Sequence, residues 1–171
     1  LHHNPELEAR VQALQIMLMA EDNLELPKEI YARWPLKGSA VSHNLHCGVP
    51  VSTKGAKIKS LDSLISELDI KQVNLIKLDV DGYEIDVLLG AAETIERYKP
   101  AIIFEYAPYT SEERNIDPLD IINYFRTMNY SLYDLSGRPI ENSKGELPTV
   151  NPGSGINILA QPNSTKSTMS V

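Results

Sequence analysis

The chain has 171 residues, 42% hydrophobic and 23% charged, which suits one soluble globular domain with a single core. A net charge of −7 and a pI near 5.1 argue against a nucleic-acid backbone or an anionic membrane surface as the main partner. The single cysteine, Cys47, excludes an intramolecular disulfide framework, and no apolar run approaches the ~20 residues that span a bilayer. With no basic-then-apolar leader, these features predict a soluble chain in the reducing cytoplasm. Opening on Leu1 instead of methionine is expected of a fragment or a trimmed chain.

Asn4-Pro5-Glu6 is a helix start, and Leu7, Val11, Leu14 and Leu18 share a face, so a helix is predicted from Pro5 to Ala20. The apolar run Gln15 to Met19 also suits a strand. Leu24 to Trp34 reads as a weak or edge strand broken by Pro27, and Pro35 to Lys57 as a long loop. His43, His46 and Cys47 in that loop are zinc-ligand types without a second pair downstream, so a plain surface loop is the expectation. Ser42 to Ser52 is placed to act as a lid. Ser60 caps the next predicted helix, with Leu61, Leu64, Ile65 and Leu68 on its buried face.

Val73, Leu75, Ile76, Leu78 and Val80 then form a short apolar run, predicted to be a strand buried on both faces. Asp79-Val80-Asp81-Gly82 makes a sharp acidic turn. From Glu84 the period changes. Ile85, Leu88, Leu89, Ala92 and Ile95 draw one helical stripe that ends at Lys99-Pro100, and Ala101 to Phe104 begins a second buried strand. Together these predict a βαβ unit in an α/β fold. Open α/β sheets bind ligands at the carboxyl ends of their strands, which makes Asp79, Asp81 and Glu105 the candidate site acids. Glu84 and Asp86 read as charges favouring a helix N-terminus.

Thr110 to Asn115 is polar, Asp117-Pro118 opens a helix with Leu119, Ile121, Ile122, Phe125 and Met128 facing inward, and Tyr130 to Leu135 alternates as a strand. Ser136 to Pro139 is a turn, Glu141 to Gly155 a polar connection, and Ile156 to Ala160 the last strand, expected antiparallel to the Tyr130 strand. One domain over residues 1–160 and a disordered tail over 161–171 complete the expected organisation.

The Asp79-x-Asp81-Gly82 motif after an apolar strand is shared with haloacid-dehalogenase-type phosphatases, where one Asp is nucleophile and the other acid/base. Here Tyr83 replaces the usual Thr, and no later strand ends in an acidic pair to complete a magnesium site. An EF-hand is excluded because its twelfth position is Gly90.

A longer pattern decides the matter. KIKSLDSLI, then VNLIKLDVDGYEIDVLLGAAETIERYKPAIIFEYAPY, then SLYDLSGRPI and INILAQP resemble the FkbM-type S-adenosylmethionine-dependent methyltransferases over about Lys57 to Pro162. That family's pattern is "LD-x-L", "IKLDVEG-x-E-x-x-VL-x-GA" and "RP-x-ii-x-E". Asp81 stands for its usual Glu and Lys99 for its Arg. The family's glycine-rich D-x-G-A-N-x-G turn does not occur in the 171 residues. Leu1 to Glu6 resembles the end of the family's second strand, with His2 and His3 where a ribose-binding acid stands.

The resemblance implies a partial Rossmann-like (class I methyltransferase) sheet with helices packed on it and a C-terminal antiparallel strand pair. Without the family's first strands, the Leu75 strand is expected to form a sheet edge. It also implies methyl transfer from S-adenosylmethionine to a hydroxyl of a small-molecule, glycan or lipid acceptor. Asp79, Asp81 and Gly82 would then flank the cofactor, Asp79 and Glu105 act in catalysis, and Tyr83, Tyr106 and Tyr109 line the acceptor pocket. A non-catalytic remnant or binding module that keeps the sheet is the rival expectation, distinguished by the missing glycine turn. No metal is called for, and no oligomeric state follows.

Overall fold

The computed structural model describes residues 6, 10–25, 27–32 and 49–163. Their strands are β1 (Ile16–Leu18), β2 (Glu29–Ala32), β3 (Val49–Ser52), β4 (Lys57–Lys59), β5 (Leu75–Leu78), β6 (Ala101–Tyr106), β7 (Tyr130–Asp134) and β8 (Ile156–Pro162). The helices are α1 (Leu61–Glu67), α2 (Glu84–Leu89), α3 (Ala92–Tyr98), α4 (Pro108–Glu113) and α5 (Leu119–Thr127). This is a mixed α/β architecture. A four-stranded sheet has the order β5-β6-β8-β7, and two small sheets pair β1 with β4 and β2 with β3.

The central unit is the expected strand–turn–helix–strand. β5 and β6 are parallel, with Leu78 opposite Phe104. β8 is antiparallel to β7, as the sequence predicts, but it also pairs with β6 and so lies between them. It continues through Pro162, two residues past the predicted end. Among the described strands β5 is, with β7, an edge strand of this sheet, and Leu75 is 57% exposed. The expectation of a strand buried on both faces is therefore corrected. Its positions alternate, with Leu75 and Lys77 exposed on one face and Leu78 buried on the other.

The helix expected from Glu84 to Lys99 is two helices. Gly90 separates them, packed so closely on the Met19 carbonyl that any Cβ there would collide with it. The Gly90 carbonyl accepts from Asp62 N, and the Asp62 carboxylate accepts from Glu93 N (3.0 Å) and Thr94 N (2.8 Å). Asp62 thus supplies partners that the broken helix loses, capping α3 from another helix. The buried stripe is also shifted by one residue. Glu84, Val87, Leu88, Ala91, Thr94 and Ile95 are buried, whereas Leu89 is 53% exposed.

Val87, Leu88, Ile95, Ile122 and Phe125 pack with Ile102, Phe104, Ile158 and Ala160 in one hydrophobic core. Phe104 and Phe125 stack with centroids 4.9 Å apart, and the Tyr130 hydroxyl donates to Pro100 O at 2.9 Å. Ser60 caps α1 as expected, accepting from Ser63 N, but α1 buries no residue completely and Leu68 is exposed. Asp117 Oδ1 accepts from Leu119 N at the start of α5; Ile121, Ile122 and Phe125 face inward there, while Leu119 is exposed.

The amino-terminal part departs furthest from expectation. Of the helix predicted from Pro5 to Ala20, Glu6 is helical but residues 11–20 are not: Ile16–Leu18 form strand β1, the other reading of that apolar run, which pairs in parallel with β4, Met17 opposite Ile58. The edge strand expected over Leu24 to Trp34 is present as β2, after Pro27; β3 lies within the stretch read as loop, and β4 begins at its last residue, Lys57. The polar stretch after Pro108 forms α4. The cap at Asn4, His2, His3, the cluster of His43, His46 and Cys47, the start of the proposed lid and the tail from residue 164 lie outside the described residues.

Candidate functional site

Val80 to Tyr83 forms the turn at the carboxyl end of β5. Asp81 has φ +50° and Gly82 φ +96°, and Tyr83 N donates to Val80 O at 3.3 Å. Two successive left-handed residues tighten the chain enough to send it from strand to helix, and Asp-Gly tolerates that conformation best. The Gly82 Cα hydrogens face α4; a Cβ would stand 3.0 Å from Thr110 Cβ. Glycine is required here by backbone and by space together.

This turn forms one wall of a cleft of about 440 Å³, within the range of small-molecule sites. Asp79, Val80, Asp81 and Tyr83 face the mostly apolar segment Leu14 to Leu18, which includes β1, with Ile30, Ser52, Thr53 and Ala56 completing the lining. Asp79 is exposed, and Lys77 Nζ lies 3.2 Å from its Oδ2. Such an exposed pair holds little energy, so Asp79 can exchange it for a ligand at small cost.

The other predicted residues lie around the corner. Gly82, Glu105 and Tyr106 line a nook of only about 10 Å³ with Glu84, Thr110 and Asp117. Asp79 and Glu105 do stand at the same end of two parallel strands, yet they line separate spaces. The Glu105 side chain lies across Gly155, where a Cβ would overlap its carboxylate. The Tyr106 hydroxyl is held above its ordinary range by burial, reinforced by Asp117 and Glu112. Tyr109, on α4, lines neither space.

Two residues at this rim escape a sequence reading. Glu84, expected to be a helix-terminal charge near solvent, is buried, 7% exposed. Burial raises its pKa, and Glu105 nearby adds to the effect, while N–H donors from its own backbone, Val80 and Gly82 oppose it. Val80 N donates to its Oε1 at 3.2 Å, so this carboxyl ties the acidic turn to the helix behind it. The second is Arg114, just after α4. Its Nη1 donates to Gly82 O (2.5 Å) and Asp86 Oδ2 (2.7 Å), and its guanidinium carbon lies 3.8 Å from the Tyr83 ring centroid. One signal for Glu84 existed: the second E of the "DVEG-x-E" pattern falls on it. Nothing local marks Arg114.

The cleft, walled by two acids and an apolar segment, lies at the carboxyl end of a parallel strand pair in an α/β domain, the place where open α/β sheets take ligands. Residues 20–132, more than half of the chain, match the methyltransferase FkbM domain, and the chain belongs to that family. The match begins well upstream of the motifs that start at Lys57. No curated protein and no solved structure matches the chain.

The cleft can be tested against the methyl donor expected of a methyltransferase. S-adenosylmethionine carries a sulfonium, an ammonium and a flat purine. Asp79 and Asp81 suit the cationic part, and Ile16, Leu18, Ile30 and Val80 the apolar one. These residues fit the group. Tyr83 offers it an edge or one face, since Arg114 already lies on the other.

Proposed function

We propose that the chain is an S-adenosylmethionine-dependent O-methyltransferase domain with a Rossmann-like sheet, acting on a hydroxyl of a sugar, lipid or natural product. The observation that carries this reading is the cleft at the acidic turn of a chain in the FkbM methyltransferase family. Asp79 and Asp81 hold the cationic donor by charge, in a site whose apolar wall reduces screening by water. Gly82 lets the turn close against Thr110 without a side chain in the way. The donor supplies an activated methyl group. Asp79, which lines the cleft, is the carboxylate placed to orient an acceptor hydroxyl there and draw off its proton, with Tyr83 beside it; Glu105 and Tyr106, in the separate nook, and Tyr109, which lines neither space, are not given that part. Alignment of nucleophile and methyl supplies most of the acceleration, and proton removal the rest.

The rival reading, a non-catalytic module that keeps the sheet, draws on the lack of a D-x-G-A-N-x-G run in these 171 residues. Calorimetric titration of the chain with S-adenosylmethionine separates the two. Saturable binding is expected, and Asp79→Asn should weaken it by about tenfold, ~1.4 kcal/mol. Absence of heat in the wild-type chain would favour the rival; unchanged affinity in the variant would remove Asp79 from the site.

A further inference from the structure

The cleft wall contains a turn with a weak closing contact of its own. Asp81, a residue with a Cβ, sits at φ +50°, and its side chain is exposed on the cleft side. The hydrogen bond closing the turn, Tyr83 N to Val80 O, is long at 3.3 Å. Contacts from outside it add to that bond, the Glu84 carboxyl on Val80 N among them. Three contacts from one side chain meet there: Arg114 binds the Gly82 carbonyl, the Asp86 carboxylate and the face of the Tyr83 ring. Arg114 and Asp86 are both largely shielded, with side chains 26% and 21% exposed. On the same side, Thr110 fills the space against Gly82 and is itself fixed by a 2.8 Å bond from its hydroxyl to Ala107 O.

We propose that Arg114 is a positioning residue: its guanidinium, shared between Gly82, Asp86 and Tyr83, locks the acidic turn so that Asp79, Asp81 and Tyr83 form the cleft wall. The consequence for cofactor binding rests on the methyltransferase reading above; the lock itself does not. Three contacts of different kinds explain why arginine stands here. A single nitrogen, Nη1, makes both hydrogen bonds, so a lysine could donate to the same two acceptors, but its ammonium brings no planar group to lie over the Tyr83 ring while doing so. The contacts cross 28 to 32 positions of sequence, so α4 and Arg114 act as a brace brought from the next structural unit.

The experiment compares Arg114→Met and Arg114→Lys with the wild-type chain by backbone hydrogen exchange, thermal melting and calorimetric titration with S-adenosylmethionine. Exchange at residues 80–84 should rise at least about tenfold in both variants, as expected when a local unit opens more easily than the core. The amides of Ile102, Phe104 and Ile158 should stay protected and the melting temperature close to wild type. Cofactor affinity should fall about tenfold in both, with lysine failing to rescue it. Unchanged exchange at the turn overturns the proposal, as does a loosened turn with unaltered affinity. If the wild-type chain shows no binding, the methyltransferase reading fails for this chain, and the exchange measurement decides the lock by itself. Should Arg114→Met not fold, Asp86→Asn, which keeps the shape and removes the ion pair, must produce the same local loosening.

Discussion

Glu84 shows how one residue can belong to two categories that look alike in sequence. An acid in the first turn of a helix is ordinarily a solvent-facing charge that complements the helix dipole. Here the same position points inward, and its carboxyl gathers backbone N–H groups of the acidic turn. Its pKa is raised, chiefly by burial, above the ordinary value of 4.5. The folded state therefore binds its proton more tightly than the unfolded chain does. Stability contributed by the neutral form is fully present below the unfolded pKa and declines as pH rises through the folded one. Glu84→Gln should remove that decline: urea titrations from pH 4.5 upward should show the variant gaining on wild type as pH increases. A constant difference across that range would show that Glu84 does not titrate differently in the folded protein.

Among elements, the break between α2 and α3 best separates pattern from packing. A helical stripe through Leu88 and Ile95 can be drawn in two phases, one residue apart. Apolar Leu89 favours the wrong phase. The direction in which the sheet lies selects the other and exposes Leu89. Gly90 and Asp62 then make the interruption stable, the first by leaving room for the Met19 carbonyl and the second by capping α3 from α1. This gives the "LD" of the family pattern a physical role. Asp62→Ala should cost about 1 kcal/mol, within the range of lost helix caps, in chemical denaturation. A loss indistinguishable from zero would mean that water replaces the carboxylate at the α3 terminus.

At the scale of the molecule, one core joins the helices α2, α3 and α5 to the sheet, and Leu88 stands inside it. Leu88→Asp should lower stability by roughly 3–5 kcal/mol, because a buried charge there finds no partner. An unchanged melting temperature would contradict the packing of α2 on the sheet. The small sheets of β1 with β4 and β2 with β3 bring the apolar strand segment to the acidic turn, so the cleft belongs to the assembled domain and to no single motif. The sequence by itself determined the family, through the strand–turn–helix–strand run from Val73 to Tyr106, and the place of Asp79, Asp81 and Glu105 at one rim. Period, turn chemistry and glycine preference are local properties, so they can be read locally. Only the tertiary structure decided that β8 enters between β6 and β7, that Asp79 and Glu105 face different spaces, that Glu84 is buried, and that Arg114 reaches the turn. Each depends on contacts between distant positions, whose energies are set by packing and desolvation after the chain has folded.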